Sequence, residues 1–96
     1  MNLVVGTQRV TADIAIGRSG QPCRIFCVHL VSGASASTLN LRNGTSASGT
    51  IQAQIDGTAL RSATVSFAGG MLFPLGCFAD VDANISFASV VATNEQ

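Results

Sequence analysis

The chain contains no lysine, no tryptophan and no tyrosine, and its five cations are all arginine. Charged residues make up 10% of it, against about 25% in ordinary soluble domains. Arg9, Arg18, Arg24, Arg42 and Arg61 are spread along the sequence and the net charge is zero. A nucleic-acid-binding face needs concentrated basic charge, so that class is set aside. Long apolar runs are missing too. Residues 25–31 form the longest one, it contains His29, and it is too short to span a bilayer. The opening Met1-Asn2 supplies no positive n-region and Leu3-Val4-Val5 is no h-region, so assembly in a cytoplasm is expected. Without a secretion signal, the sequons Asn43-Gly44-Thr45 and Asn84-Ile85-Ser86 are chance matches.

Cysteine is sparse and odd in number: Cys23, Cys27 and Cys77. A secreted disulfide framework uses even numbers. On one extended strand Cys23 and Cys27 would stand about 13 Å apart, beyond the about 7 Å that a disulfide allows. A bridge from Cys77 to either stays open, but buried free thiols acting as small hydrophobes are the expectation.

What is present is small and apolar. Hydrophobic residues make up 47% of the chain, and Ala, Gly, Ser and Thr dominate. A folded monomer of this mass exposes about 5,200 Å², and few charges are available to cover it. Edge strands are usually guarded by Lys, Pro or inward charges. With no Lys and two Pro, edges and faces are expected to lie against neighbours.

No segment shows apolar spacing of helical period. Short β-branched runs alternate with turn signals every 8 to 12 residues or so, which predicts a sandwich or barrel. Strands are expected at residues 10–16, 23–31, 38–42, 50–55, 62–67, 71–73, 78–81 and 84–91. Turns are expected at Asn43-Gly44, Asp56-Gly57 and Gly69-Gly70. The fold class is therefore all-β, an antiparallel β-sandwich or jelly-roll-like barrel of about seven or eight short strands. Residues 1–9 read as an N-terminal arm or edge strand, and residues 10–96 as a single β-sandwich domain. In residues 23–31 the odd positions (Cys23, Ile25, Cys27, His29, Val31) and the even ones (Arg24, Phe26, Val28, Leu30) are both largely apolar. A strand with one wet face should alternate, so cover on both sides is expected.

Candidate chemistry is thin. Asp80-Val81-Asp82-Ala83-Asn84 copies the start of a calcium loop, but Ile85 stands where Gly is needed and no Glu follows at the right distance. A solvated turn is the default. Cys27 and His29 share a strand face with Cys23, and Cys77 would make a fourth zinc ligand, yet there is no C-x-x-C pair. His29 is the sole base of its kind, with no G-x-S-x-G context for a serine. No catalytic, cofactor-binding or metal-binding residue is assigned, no cofactor is expected, and an enzyme is not expected.

The stretch 22–91 resembles small β-sandwich proteins that decorate the capsids of tailed bacteriophages, of cyanophage or marine-phage type. Its carriers are Cys23-Arg24-Ile25-Phe26-Cys27-Val28; Ser37-Thr38-Leu39-Asn40-Leu41-Arg42-Asn43-Gly44-Thr45-Ser46; Thr50-Ile51-Gln52-Ala53-Gln54-Ile55-Asp56-Gly57; and Phe73-Pro74-Leu75-Gly76-Cys77-Phe78 with Asp82-Ala83-Asn84-Ile85-Ser86-Phe87. The resemblance implies a cement role on the virion's capsid surface. The major capsid protein would be the partner, the oligomer a trimer, and no nucleic acid or membrane would be bound. Residues 43–49 and 2–9 would then touch the shell. Another virion component (tail, fibre, knob or vertex protein) is the alternative. A carbohydrate-binding module is a third reading, opposed by the lack of Trp and Tyr and by an expectation that the Phe residues are core.

Overall fold

The structure, a computed structural model, describes residues 4–94. Eight strands follow in order: β1 (Val4–Val10), β2 (Ile14–Ile16), β3 (Cys23–Ser32), β4 (Ser37–Asn43), β5 (Thr50–Gly57), β6 (Ser62–Phe73), β7 (Cys77–Val81) and β8 (Ile85–Asn94). They form two four-stranded antiparallel sheets, ordered β1-β8-β3-β6 and β2-β7-β4-β5. The order has a simple origin. β1 pairs β8, β2 pairs β7, β3 pairs β6 and β4 pairs β5, as in one long antiparallel ribbon. The ribbon is rolled so that β8 also meets β3 and β7 also meets β4. The result is an eight-stranded jelly roll, an all-β sandwich. Among the described residues no helix is long and apolar enough to cross a membrane.

The core lies between the sheets. Leu39 and Leu41 of β4 face it by strict alternation, with Thr38, Asn40 and Arg42 outside. Val28 and Leu30 of β3, Phe73 of β6, Val90 of β8, Val10 and Ile16 complete its buried centre. Each large side chain so buried contributes about 1.5–3 kcal/mol. The accessible surface is 4945 Å², close to the expectation from mass.

Four expectations are corrected. Residues 10–16 are not one strand. The chain bends at 11–13, leaving Val10 in the first sheet and Ile16 in the second, both buried. Asp13 steadies the crossing by accepting the Val81 N–H at 2.8 Å. Residues 62–67 and 71–73 are one strand, β6, not two. Against β3 its register jumps from Ser66↔Cys27 to Met71↔Ile25, so residues 67–70 bulge opposite Phe26. Gly70 sits there at φ +83°, and a Cβ on it would strike the Arg24 side chain. Asp56-Gly57 is the end of β5 rather than a turn.

The fourth bears on the assembly argument. β3 slips register at Phe26. The buried side chains are Cys23 and Ile25 before the slip, then Val28, Leu30 and Ser32 after it. Arg24, Cys27, His29 and Val31 point outward. The apparent two-sided greasiness of residues 23–31 comes from counting straight through a bulge, which exchanges the faces.

The expected cover over the sheet edges is also partly internal. β1 and β2 are edge strands of different sheets, connected by the bend at 11–13. The Gln8 side chain joins them, donating to Ala15 O at 3.0 Å and accepting from Gly17 N at 2.9 Å. At the opposite seam β5 and β6 are the edges, and Gln52 Nε2 donates to Leu72 O at 2.7 Å. One glutamine bridges the two sheets at each seam.

Candidate functional site

The outer face of the first sheet is built in rows set by the strand register. One row runs Arg9, Ser89, His29, Thr64; the next runs Thr7, Val91, Cys27, Ser66; a third holds Phe87, Val31 and Ser62. Its side chains are mostly small, so the surface is flat. Arg9 lies over the Phe87 ring, 4.3 Å from guanidinium carbon to ring centroid, a cation–π contact. His29 Nδ1 and Thr64 Oγ1 are 2.7 Å apart. Ser66 Oγ reaches the half-buried Cys27 sulfur at 3.8 Å.

The second sheet's outer face is acidic. Its rows are Ala15, Phe78, Arg42, Ile51; then Asp80, Asn40, Gln54; then Thr38 and Asp56. Asp82 stands beside the last row. Its Oδ2 accepts from Thr38 N at 3.0 Å and its Oδ1 from Asn84 N at 3.0 Å. Arg42 pairs with Asp80 at 2.9 Å and also donates to Gly49 O at 2.9 Å. Asp56 accepts from Thr38 Oγ1 at 3.1 Å and Gln54 Nε2 at 3.3 Å. Asn40 Oδ1 is buried with no hydrogen-bond partner among the described residues, and no feature of the fold accounts for it.

The antiparallel order sorts the loops to two ends. One end gathers residues 11–13, 33–36, 58–61 and 82–84. Leu60 projects there, 80% exposed, at φ +59°. Its backbone is pinned by Leu60 N→Gly33 O at 2.8 Å and Arg61 N→Thr58 O at 3.1 Å. A leucine in the left-handed region costs about 1–2 kcal/mol, a strain that glycine avoids and asparagine largely does. The other end gathers residues 17–22, 44–49 and 74–76, where Gly44 N donates to Gly76 O at 2.9 Å. The exposed Leu75 stands there, its N–H held by Asn43 Oδ1 at 2.9 Å. A cleft of about 250 Å³ where β1, β2 and β8 meet is lined by Gln8, Ile16, Arg18, Cys23, Thr93 and Asn94. That is just below the about 300–1,000 Å³ of common ligand pockets.

The sequence candidates do not converge. Cys23 and Cys77 are buried in the core while Cys27 and His29 sit on the outer face, because the Phe26 bulge separates them. All three cysteines are free thiols, but only two are buried, so Cys27 departs from the expected role. Burial, and then repulsion from Cys23, pushes the Cys77 thiol far up from its ordinary value. Asp80 and Asp82 are engaged by protein donors on the second face. Among the described residues no group of three or more His, Cys, Asp or Glu is arranged to hold a metal ion. Phe73 alone of the five phenylalanines is fully buried; Phe78 and Phe87 lie half-buried on the two outer faces, unlike the all-core expectation. Asn43 closes β4 and residues 44–49 form the loop, exposed at 45–48; the part of 2–9 that is described belongs to β1, and residues 2 and 3 lie outside the described residues.

Leu60, Gln8 and Gln52 escaped the sequence reading. Only the run Thr58-Ala59-Leu60-Arg61 after a glycine hinted at a tight turn, and nothing local marks a glutamine that bridges two sheets. Compared with known proteins, the chain matches no family model, no curated protein and no solved structure.

Proposed function

We propose that the protein is a structural component of a virion, a capsid decoration (cement) protein that binds between major capsid subunits and stabilises the head. One observation carries this reading. Ile14, Ile51, Leu60, Leu72 and Leu75 stand exposed on a jelly roll whose whole chain has only five Arg, five acids and one His to carry charge near neutral pH. A surface so poor in charge favours association, and many weak symmetric contacts give a decorating protein strength by avidity. The strained Leu60 tip supports it, since strain held by surrounding structure is a mark of a functional contact. The major capsid protein is the partner and the protein's own copies form a closed oligomer, a trimer being the expected size. The place of action is the capsid surface, reached after synthesis in the host cytoplasm.

Quantitative mass spectrometry on purified particles of the source virus tests this. Hundreds of copies per particle is the expected result. A handful would transfer the protein to the tail, fibre or vertex, and absence from particles would overturn the structural reading.

A further inference from the structure

We infer that copies of this protein associate head to tail, the outer face of the first sheet of one copy resting on the outer face of the second sheet of the next. The inference deepens the structural-subunit reading and rests on it for the expectation that copies meet.

Among the described residues the aspartates and the arginines Arg9 and Arg24 fall on opposite faces. On the first face Arg9 is exposed and contacts the Phe87 ring. Arg24 of β3 is on the same face. On the second face lie Asp56, Asp80 and Asp82, with Asp13 accepting from the Val81 N–H at the strand crossing. Arg42 is the only cation there among the described residues, and it is committed to Asp80. Asp56 and Asp82 therefore accept hydrogen bonds only from neutral groups. All four aspartates of the chain sit on one side of the sandwich.

This segregation selects a symmetry. A two-fold dimer places the same patch on both partners, so pairing either face with itself opposes like charges. Pairing the first face with the second opposes unlike charges. The contact is then heterologous and repeats from copy to copy, closing into a ring where the rotation per copy allows it. Molecular extents of 42 and 25 Å frame the faces, room for the about 800 Å² per partner of a standard interface. The flat Ser, Thr and Val rows permit close approach, and Arg9 on Phe87 is the type of anchor that interface centres favour.

Sedimentation velocity of the whole chain over a range of concentration and salt is the test. Association that weakens as salt rises is expected. Arg9→Glu and Asp56→Arg, each an exposed position, should each weaken it by tenfold or so, with circular dichroism confirming that both stay folded. Arg9→Gln and Asp56→Asn serve as milder versions should a reversal disturb folding. Mixing Arg9→Glu with Asp56→Arg should restore association, because each supplies the face the other has lost. A monomer at all concentrations overturns the inference. So does a dimer that responds to one reversal, ignores the other and gains nothing on mixing. Variants that stop self-associating yet still appear at full copy number on particles would sink this interface while leaving the cement role standing; association by a protein absent from particles would do the reverse.

Discussion

Adding one methyl group at Gly57 should unsettle the end of the sandwich where β5 meets β3 and β4. Gly57 is buried and pairs with Ser37. A Cβ there would run into Ser32 Oγ and lie 3.2 Å from both Leu30 Cδ2 and Ser37 Oγ. Ser32 and Ser37 are themselves buried and hydrogen-bonded, Oγ to Oγ at 2.6 Å. Overpacking costs about 1–3 kcal/mol, and a buried hydroxyl left unpaired costs a further about 1–3 kcal/mol. Gly57→Ala should therefore lose about 2–6 kcal/mol. At about 4–8 °C per kcal/mol for a domain of this size, Tm should fall by roughly 10 °C or more. Ser32→Ala alone should lose about 1–2 kcal/mol, because Ser37 keeps an unpaired hydroxyl. Together the two changes should cost less than their sum by about 1 kcal/mol or more, since the oxygen that blocks the methyl is gone. Thermal and urea melts of the four proteins measure this. An unchanged Tm for Gly57→Ala, or strict additivity in the double variant, would show that the end is looser than this packing requires.

Other outcomes follow from single features. Above pH 9.0, the ordinary value for Cys77, the unfolded thiol ionises while the buried one keeps its proton. Stability should be unaffected by this group below that pH and fall above it by up to about 1.4 kcal/mol per unit; urea melts from pH 8 to about 10.5 should show the decline, and Cys77→Ala should flatten it. In native protein Cys27 should react first with a thiol reagent, with Cys23 and Cys77 following only on unfolding, as peptide mapping would reveal. Gln52→Ala removes the bridge to Leu72 O; the expected cost is about 0.5–1.5 kcal/mol in urea melts, with more light scattering from the freed edge. Leu60→Asn relieves most of the φ +59° strain and should raise stability by about 1 kcal/mol, while copy number on particles drops if the tip makes the contact.

The all-β class was legible in the sequence, because alternation and turn residues are local properties of strands. Leu39 and Leu41 fall on the core face as their spacing indicates, and Thr38, Asn40 and Arg42 fall outside. Residues 23–31 could be recognised as a strand but their facing could not. One extra residue at Phe26, accommodated by the 67–70 bulge of a partner about forty positions away, exchanges inside and outside. The same slip sorts Cys23 from Cys27 and dissolves the cysteine–histidine grouping. The rolled pairing order, the glutamines at the two seams and the gathering of every aspartate on one side are likewise tertiary decisions. They depend on which distant strands become neighbours, a choice made by closing loops and filling one shared core rather than by any short run of residues.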